Sequence, residues 1–194
     1  MQKLKVLIAE DESIIAAGLE SQLKKIGHSV VGQAEDGKAV LPLVKRLKPD
    51  VVLMDINMPT LNGLQVARQI SAQAPVAIVI LTGYSEVKLI NEASEIGVEN
   101  YLIKPVDEND LKPALELAYQ NFQRKQSLMK EVETSKFALE ERKLIEHAKG
   151  ILMDHKGIKE SEALALLQKK SRENRIKMSE VARKIIAAAK DLDL

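Results

Sequence analysis

Residues 50–63 read DVVLMDINMPTLNG, and Pro49 and Gly63 bracket the run. Val51–Met54 is apolar throughout and closes on a carboxylate, Asp55. A strand with one wet face alternates polar and apolar residues, so an unbroken apolar run reads as a strand covered on both faces. The signature recurs on either side, as VLIA within Lys5–Ala9 and as AIVIL at Ala77–Leu81. Further β-branched runs at Ser29–Gln33 and Glu99–Ile103 read as strands too. Between these runs lie helix-length stretches with apolar residues three and four apart, such as Ile14, Ile15, Leu19, Leu23 and Ile26. Gly27, Gly37, Pro49, Gly63, Pro75 and Gly97 fall between elements, where turn residues belong. Strand–helix alternation of this kind predicts a doubly wound α/β domain: a five-stranded parallel sheet with helices on both faces. In about 120 residues this suits the flavodoxin-like strand order 2-1-3-4-5.

Composition bounds the function classes. Hydrophobic residues make up 45% of the 194 and charged residues 29%, ordinary for a globular chain and unlike a disordered one. There is no cysteine, which removes disulfides, thiolate catalysis and Cys-ligated zinc together. No apolar run approaches the roughly 20 residues a membrane span needs. The start, MQKLKVLIAEDES, lacks the apolar core and small-residue cleavage site of a signal peptide, so a cytoplasmic protein with no membrane partner is expected. The formal net charge of +1 gives no global pointer to nucleic acid; any such surface must be local.

After Pro105 no strand signal remains. A long helix is predicted from about Asp110, where Pro113 is tolerable because first-turn amides lack intrahelical partners. Leu111, Leu115, Ala118, Phe122, Met129, Val132 and Leu139 keep an alternating four–three spacing, with Lys125, Lys136 and Lys143 at the remaining seam positions. That imperfect heptad predicts either a dimeric coiled coil or a last helix that overruns into a linker over residues 110–140. Three shorter helices are expected over 140–194: Glu140–Asp154, Lys159–Arg172 and Ser179–Lys190. Their inward residues would include Leu144, Ala148 and Leu152, then Ala163, Leu166 and Leu167, then Val181, Ile185 and Ala188.

In an open parallel sheet, ligands gather at the carboxyl ends of the strands, near the point where strand order reverses. Strand one ends in Glu10 and Asp11, strand three in Asp55, strand four in Thr82, and strand five leads into Lys104. Crowded carboxylates repel one another unless a cation offsets them, and hard oxygen ligands suit Mg²⁺. A carboxylate nucleophile, a metal site, a hydroxyl donor and an ammonium together make a phosphoryl-transfer constellation.

The segments VLIAEDES, DVVLMDINMPTLNG, ILTGYSE and ENYLIKPVD resemble the receiver domain of bacterial two-component response regulators, over about residues 1–122. The resemblance implies that Asp55 accepts phosphate from a sensor histidine kinase. It implies that Glu10, Asp11, Asp55 and the backbone carbonyl of Asn57 hold Mg²⁺. Thr82 and Tyr101 would be a switch pair, and Lys104 would pair with the acids across a cis bond to Pro105. Asn57 and Tyr84 stand where the family tunes dephosphorylation. The first acid is Glu10 where aspartate is commoner, which lengthens that ligand. No enzymatic activity beyond self-phosphorylation and self-dephosphorylation is expected.

The tail is rich in positive residues, among them Lys156, Lys169, Lys170, Arg183 and Lys184, with acids interspersed. That pattern alone fits an ordinary solvated surface. The stretch ERKLIEHAKGILMDHKGIKESEALALLQKKSRENRIKMSEVARKII resembles an ANTAR domain, an RNA-binding antiterminator module. The resemblance implies a homodimer formed on phosphorylation that binds tandem hairpins in an mRNA leader and prevents termination. Arg142, Ala148, Lys149, Gly150, Arg172 and Arg175 are the candidate RNA contacts, although Ala148 and Gly150 suit helix packing equally. A helical protein-interaction or DNA-binding output is the competing expectation. His28, His147 and His155 have no partner at recognisable spacing and are expected to be ordinary surface or helix residues.

Overall fold

The structure is a computed structural model that describes residues 2–83 and 96–192, with side chains to residue 189. Five parallel strands form one sheet: β1 (Lys5–Ala9), β2 (Ser29–Ala34), β3 (Val51–Asp55), β4 (Ala77–Thr82) and β5 (Asn100–Ile103). Their order is β2-β1-β3-β4-β5, as the sequence predicts. The helices of this part are α1 (Ser13–Lys25), α2 (Gly37–Leu47), α3 (Gly63–Gln73) and the beginning of α4 (Glu108–Lys156).

Successive side chains of a strand point to opposite faces, and the unbroken apolar runs divide accordingly. Leu7, Val52, Met54, Ile78 and Ile80 face Val40 and Val44 of α2 and Val66 and Ile70 of α3. Val6, Ile8, Leu53, Val79 and Leu81 face Leu19 and Leu23 of α1 and Leu111, Leu115 and Ala118 of α4. All ten of these strand residues are at most 1% exposed, which is why none could alternate with polar residues. In α1 the apolar Ile14 departs from the expected face: in the first turn, it is 89% exposed.

By its internal contacts the chain divides into two compact units, Met1–Gln126 and Ser127–Leu194. Helix α4 runs for 49 residues without interruption, so the separate helix expected from Glu140 is its last part. Nothing between Phe137 and Leu144 could have stopped it, because that stretch holds neither Gly nor Pro. It ends at Gly157, which adopts φ +65° and donates to the Met153 carbonyl at 2.9 Å. Two helices complete the second unit, α5 (Glu160–Asn174) and α6 (Met178–Leu192). Its core is small: Ala148, Leu152, Ala163, Leu167, Val181 and Ala182. Ala188 is exposed, and Ala182 fills the core in its place. Among the described residues, no helix is long and apolar enough to cross a membrane.

An acidic pocket at the strand ends and a candidate nucleic-acid interface

The pairing of Ala9 with Met54 across β1 and β3 brings Glu10 and Asp55 side by side at the carboxyl edge of the sheet. Lys104 follows β5, and its backbone amide donates to the Thr82 carbonyl at 2.9 Å. The Lys104–Pro105 bond is cis. From there the Lys104 ammonium donates to Glu10 Oε2 at 2.8 Å and to Asp55 Oδ2 at 2.9 Å. Glu10 and Asp55 are buried and Asp11 is exposed, and one carboxylate oxygen from each lies within 4.8 Å of the others.

The electrostatics follow from that crowding. Burial pushes the Glu10 carboxyl above its ordinary range; the Lys104 hydrogen bond opposes the rise and the Asp55 charge adds to it. Burial also works against the Lys104 ammonium, but hydrogen bonds to Glu10 and Asp55 outweigh it and hold the pKa above the usual lysine value. One ammonium cannot offset three converging carboxylates. The surplus negative charge and the hard oxygen donors fit a divalent cation of the Mg²⁺ type.

Thr82, at the end of β4, is fully buried, and its hydroxyl donates to the Gly83 carbonyl at 3.2 Å. Tyr101 on β5 is 41% exposed, in register with Ile80. Asn57 lies two residues beyond Asp55 with its side chain exposed. Tyr84 falls outside the described residues.

In the sequence Gly63 and Gly37 read only as punctuation, and in the structure they position the loop that follows Asp55. A Cβ on Gly63 would collide with the carbonyl oxygen of Asp55, and one on Gly37 with that of Leu61. The Gly63 amide donates to the Ile56 carbonyl at 2.9 Å, and the Gly37 amide to that of Pro59 at 3.2 Å. Asn62 caps α3 by accepting from the Leu64 amide at 2.8 Å, while Gln65 accepts from the Asn62 amide. The loop leaving Asp55 is thereby tied at both ends; the sequence signal was the NG pair at the end of DINMPTLNG.

In the second unit the candidate RNA contacts separate. Ala148 has no exposed surface and sits in the core, so packing is its role and the contact reading is corrected. Lys149 is only 6% exposed, and its ammonium lies 2.8 Å from Glu146 and 2.7 Å from Glu160. Those hydrogen bonds raise the Lys149 pKa, and Lys149 in turn lowers that of Glu160. A ligand phosphate would have to compete with two carboxylates for it. Gly150 is half-buried with open space where a Cβ would stand. Arg142, Arg172 and Arg175 are exposed, and among the described residues none forms an ion pair. Of the histidines, His28 departs from expectation: it is 3% exposed, and burial lowers its pKa.

Comparison with known proteins bears on both units. The family model for the response regulator receiver domain matches residues 6–116. The chain belongs to the response regulators. A second family model, the ANTAR domain, matches residues 133–186 of this response regulator. The transcriptional regulatory protein PdtaR of Mycobacterium tuberculosis is 38% identical over 182 residues, 94% of this chain and 89% of PdtaR. The transcriptional regulatory protein YdfI of Bacillus subtilis is 35% identical over 115 residues, 59% of this response regulator and 54% of YdfI. Among solved structures, the REC domain of AraT from Geobacillus stearothermophilus superposes with a TM-score of 0.57 at 32% identity, covering 64% of this chain and 99% of that one. The response regulator's two parts are thus a receiver and an ANTAR domain, a regulatory rather than catalytic combination.

Proposed function

We propose that this response regulator is phosphorylated on Asp55 by a sensor histidine kinase, and that phosphorylation drives dimerisation and binding of tandem hairpins in a nascent mRNA leader. The observation that carries the first step is the Lys104 ammonium on both Glu10 and Asp55. In that step a carboxylate oxygen of Asp55 attacks phosphorus in line, the bond from phosphorus to the kinase histidine breaks, and an acyl phosphate forms. Lys104 then leaves Asp55 for a phosphoryl oxygen while it keeps Glu10. Glu10, Asp11, Asp55 and the Asn57 backbone carbonyl would hold Mg²⁺, which when bound supplies charge neutralisation of the transferring group.

Thr82 and Tyr101 carry the consequence. The Thr82 hydroxyl exchanges the Gly83 carbonyl for a phosphoryl oxygen, which empties space behind it, and the half-exposed Tyr101 ring turns into that space. Met129, Val132 and Leu139, each more than half exposed on α4, supply the apolar seam of a parallel dimer. The paired ANTAR domains then hold the RNA in the antiterminated fold, as a cytoplasmic regulator would. The first step is tested with acetyl phosphate and Mg²⁺, reading the protein mass and oligomeric state together. The expected result is one added phosphoryl group and a dimer in the wild type, and neither in Asp55→Asn. A dimer formed by Asp55→Asn under acetyl phosphate would sink the proposal.

A further inference from the structure

The second unit sorts its basic side chains into two kinds. Lys149, Lys169 and Lys177 each have a carboxylate partner within 4 Å. Lys143, His147 and Arg183 are exposed and have no carboxylate partner among the described residues. These three come from two helices yet share one feature: with Glu140 and Leu144 they line an open groove of about 510 Å³ between α4 and α6. Lys143 and His147 are one helical turn apart, so their side chains project from the same face of α4. Arg183 faces them from α6, one residue after the buried pair Val181 and Ala182 that anchors that helix on the core. Lys143 and Arg183 against the one lining carboxylate, Glu140, leave the groove net positive.

We infer that this α4–α6 groove, rather than the neighbourhood of Lys149, is where the ANTAR domain binds RNA, with Lys143 and Arg183 on phosphates. The inference rests on the RNA-binding reading above and names the site that reading leaves open. Two physical points favour it. An ammonium already held by two carboxylates gains little from a phosphate, whereas an unpaired one exchanges only water and counterions. A guanidinium beside an imidazole also offers planar faces and donors on which an unstacked loop base can rest, the mode by which single-stranded RNA is held. Half-buried Leu144 gives the floor of the groove an apolar patch against which such a base loses water.

The test is binding of the full-length protein, with acetyl phosphate and Mg²⁺, to a pool of RNA tandem hairpins with randomised loops, over a salt series. Lys143→Gln and Arg183→Gln should each weaken binding and make the log–log salt slope shallower by about 0.7–0.9 per cation removed. Glu140→Gln should tighten binding a few-fold, roughly as expected when a carboxylate beside a phosphate is neutralised. All three positions are exposed, so thermal unfolding should be unchanged. Lys149→Gln should leave the slope as it is. Wild-type binding with unaltered slopes in both groove variants overturns the groove and spares the RNA reading. Absence of any RNA binding by the wild type removes both, and equal affinity for duplex DNA replaces RNA as the ligand and overturns the inference as stated.

Discussion

A side-chain carbon on Gly63 would run into the carbonyl oxygen of Asp55, so Asp55 and the start of α3 share one tight packing point. Gly63→Ala should therefore displace the loop leaving Asp55 as well as strain the fold. We expect a stability loss of about 1–3 kcal/mol by denaturant unfolding, the usual cost of forcing a methyl into a packed site. Phosphorylation by acetyl phosphate should slow in the same variant. A variant with wild-type stability and wild-type phosphorylation would show that the loop shifts freely.

His28 should make folding pH-dependent. Its Nδ1 accepts the Leu4 amide at 3.3 Å, which leaves the proton on Nε2, and that atom is buried without a partner. Burial holds the native pKa below the ordinary value of 6.5, so between the two values the unfolded chain binds a proton that the native state refuses. Stability should then be full above about pH 6.5 and fall as pH drops towards the native pKa, by at most about 1.4 kcal/mol per pH unit. Urea unfolding between pH 5 and 8 measures this, and His28→Gln should flatten the slope.

Most of the fold was legible because its strands are short apolar runs closed by turn residues, and each of the five began where the pattern placed it or one residue later. The acidic pocket was legible for the same reason, since Glu10, Asp55, Thr82 and Lys104 each terminate or follow such a run. The continuity of α4 was not, because a rotation of the apolar stripe near Glu140 looks in sequence like the start of a new helix. Lys149 shows a second limit. Glu146 stands one turn away and could be paired on paper, but Glu160 reaches the same ammonium only after the chain turns at Gly157. His28 shows a third, because its burial between α1 and β2 comes with a hydrogen bond from the Leu4 amide, 24 residues away in sequence.

The dimer seam has its own test. Val132 is 53% exposed and Met129 55%, so a charge at either should cost the isolated fold little, within about 0.5 kcal/mol. Two such lysines facing each other across a coiled coil would repel as well as lose apolar contact. Val132→Lys should thus accept a phosphoryl group normally yet stay monomeric under acetyl phosphate by light scattering. A dimer of undiminished affinity would move the interface away from α4.

Coupling between the acidic pocket and RNA is the central claim, and the most direct measurement is the affinity for a terminator-overlapping tandem-hairpin RNA with and without acetyl phosphate and Mg²⁺, in wild type and Asp55→Asn. The account expects tighter, loop-dependent and salt-sensitive binding on phosphorylation of the wild type, and no response in Asp55→Asn. Equal affinity in all four conditions, or no binding to structured RNA in any of them, would contradict it.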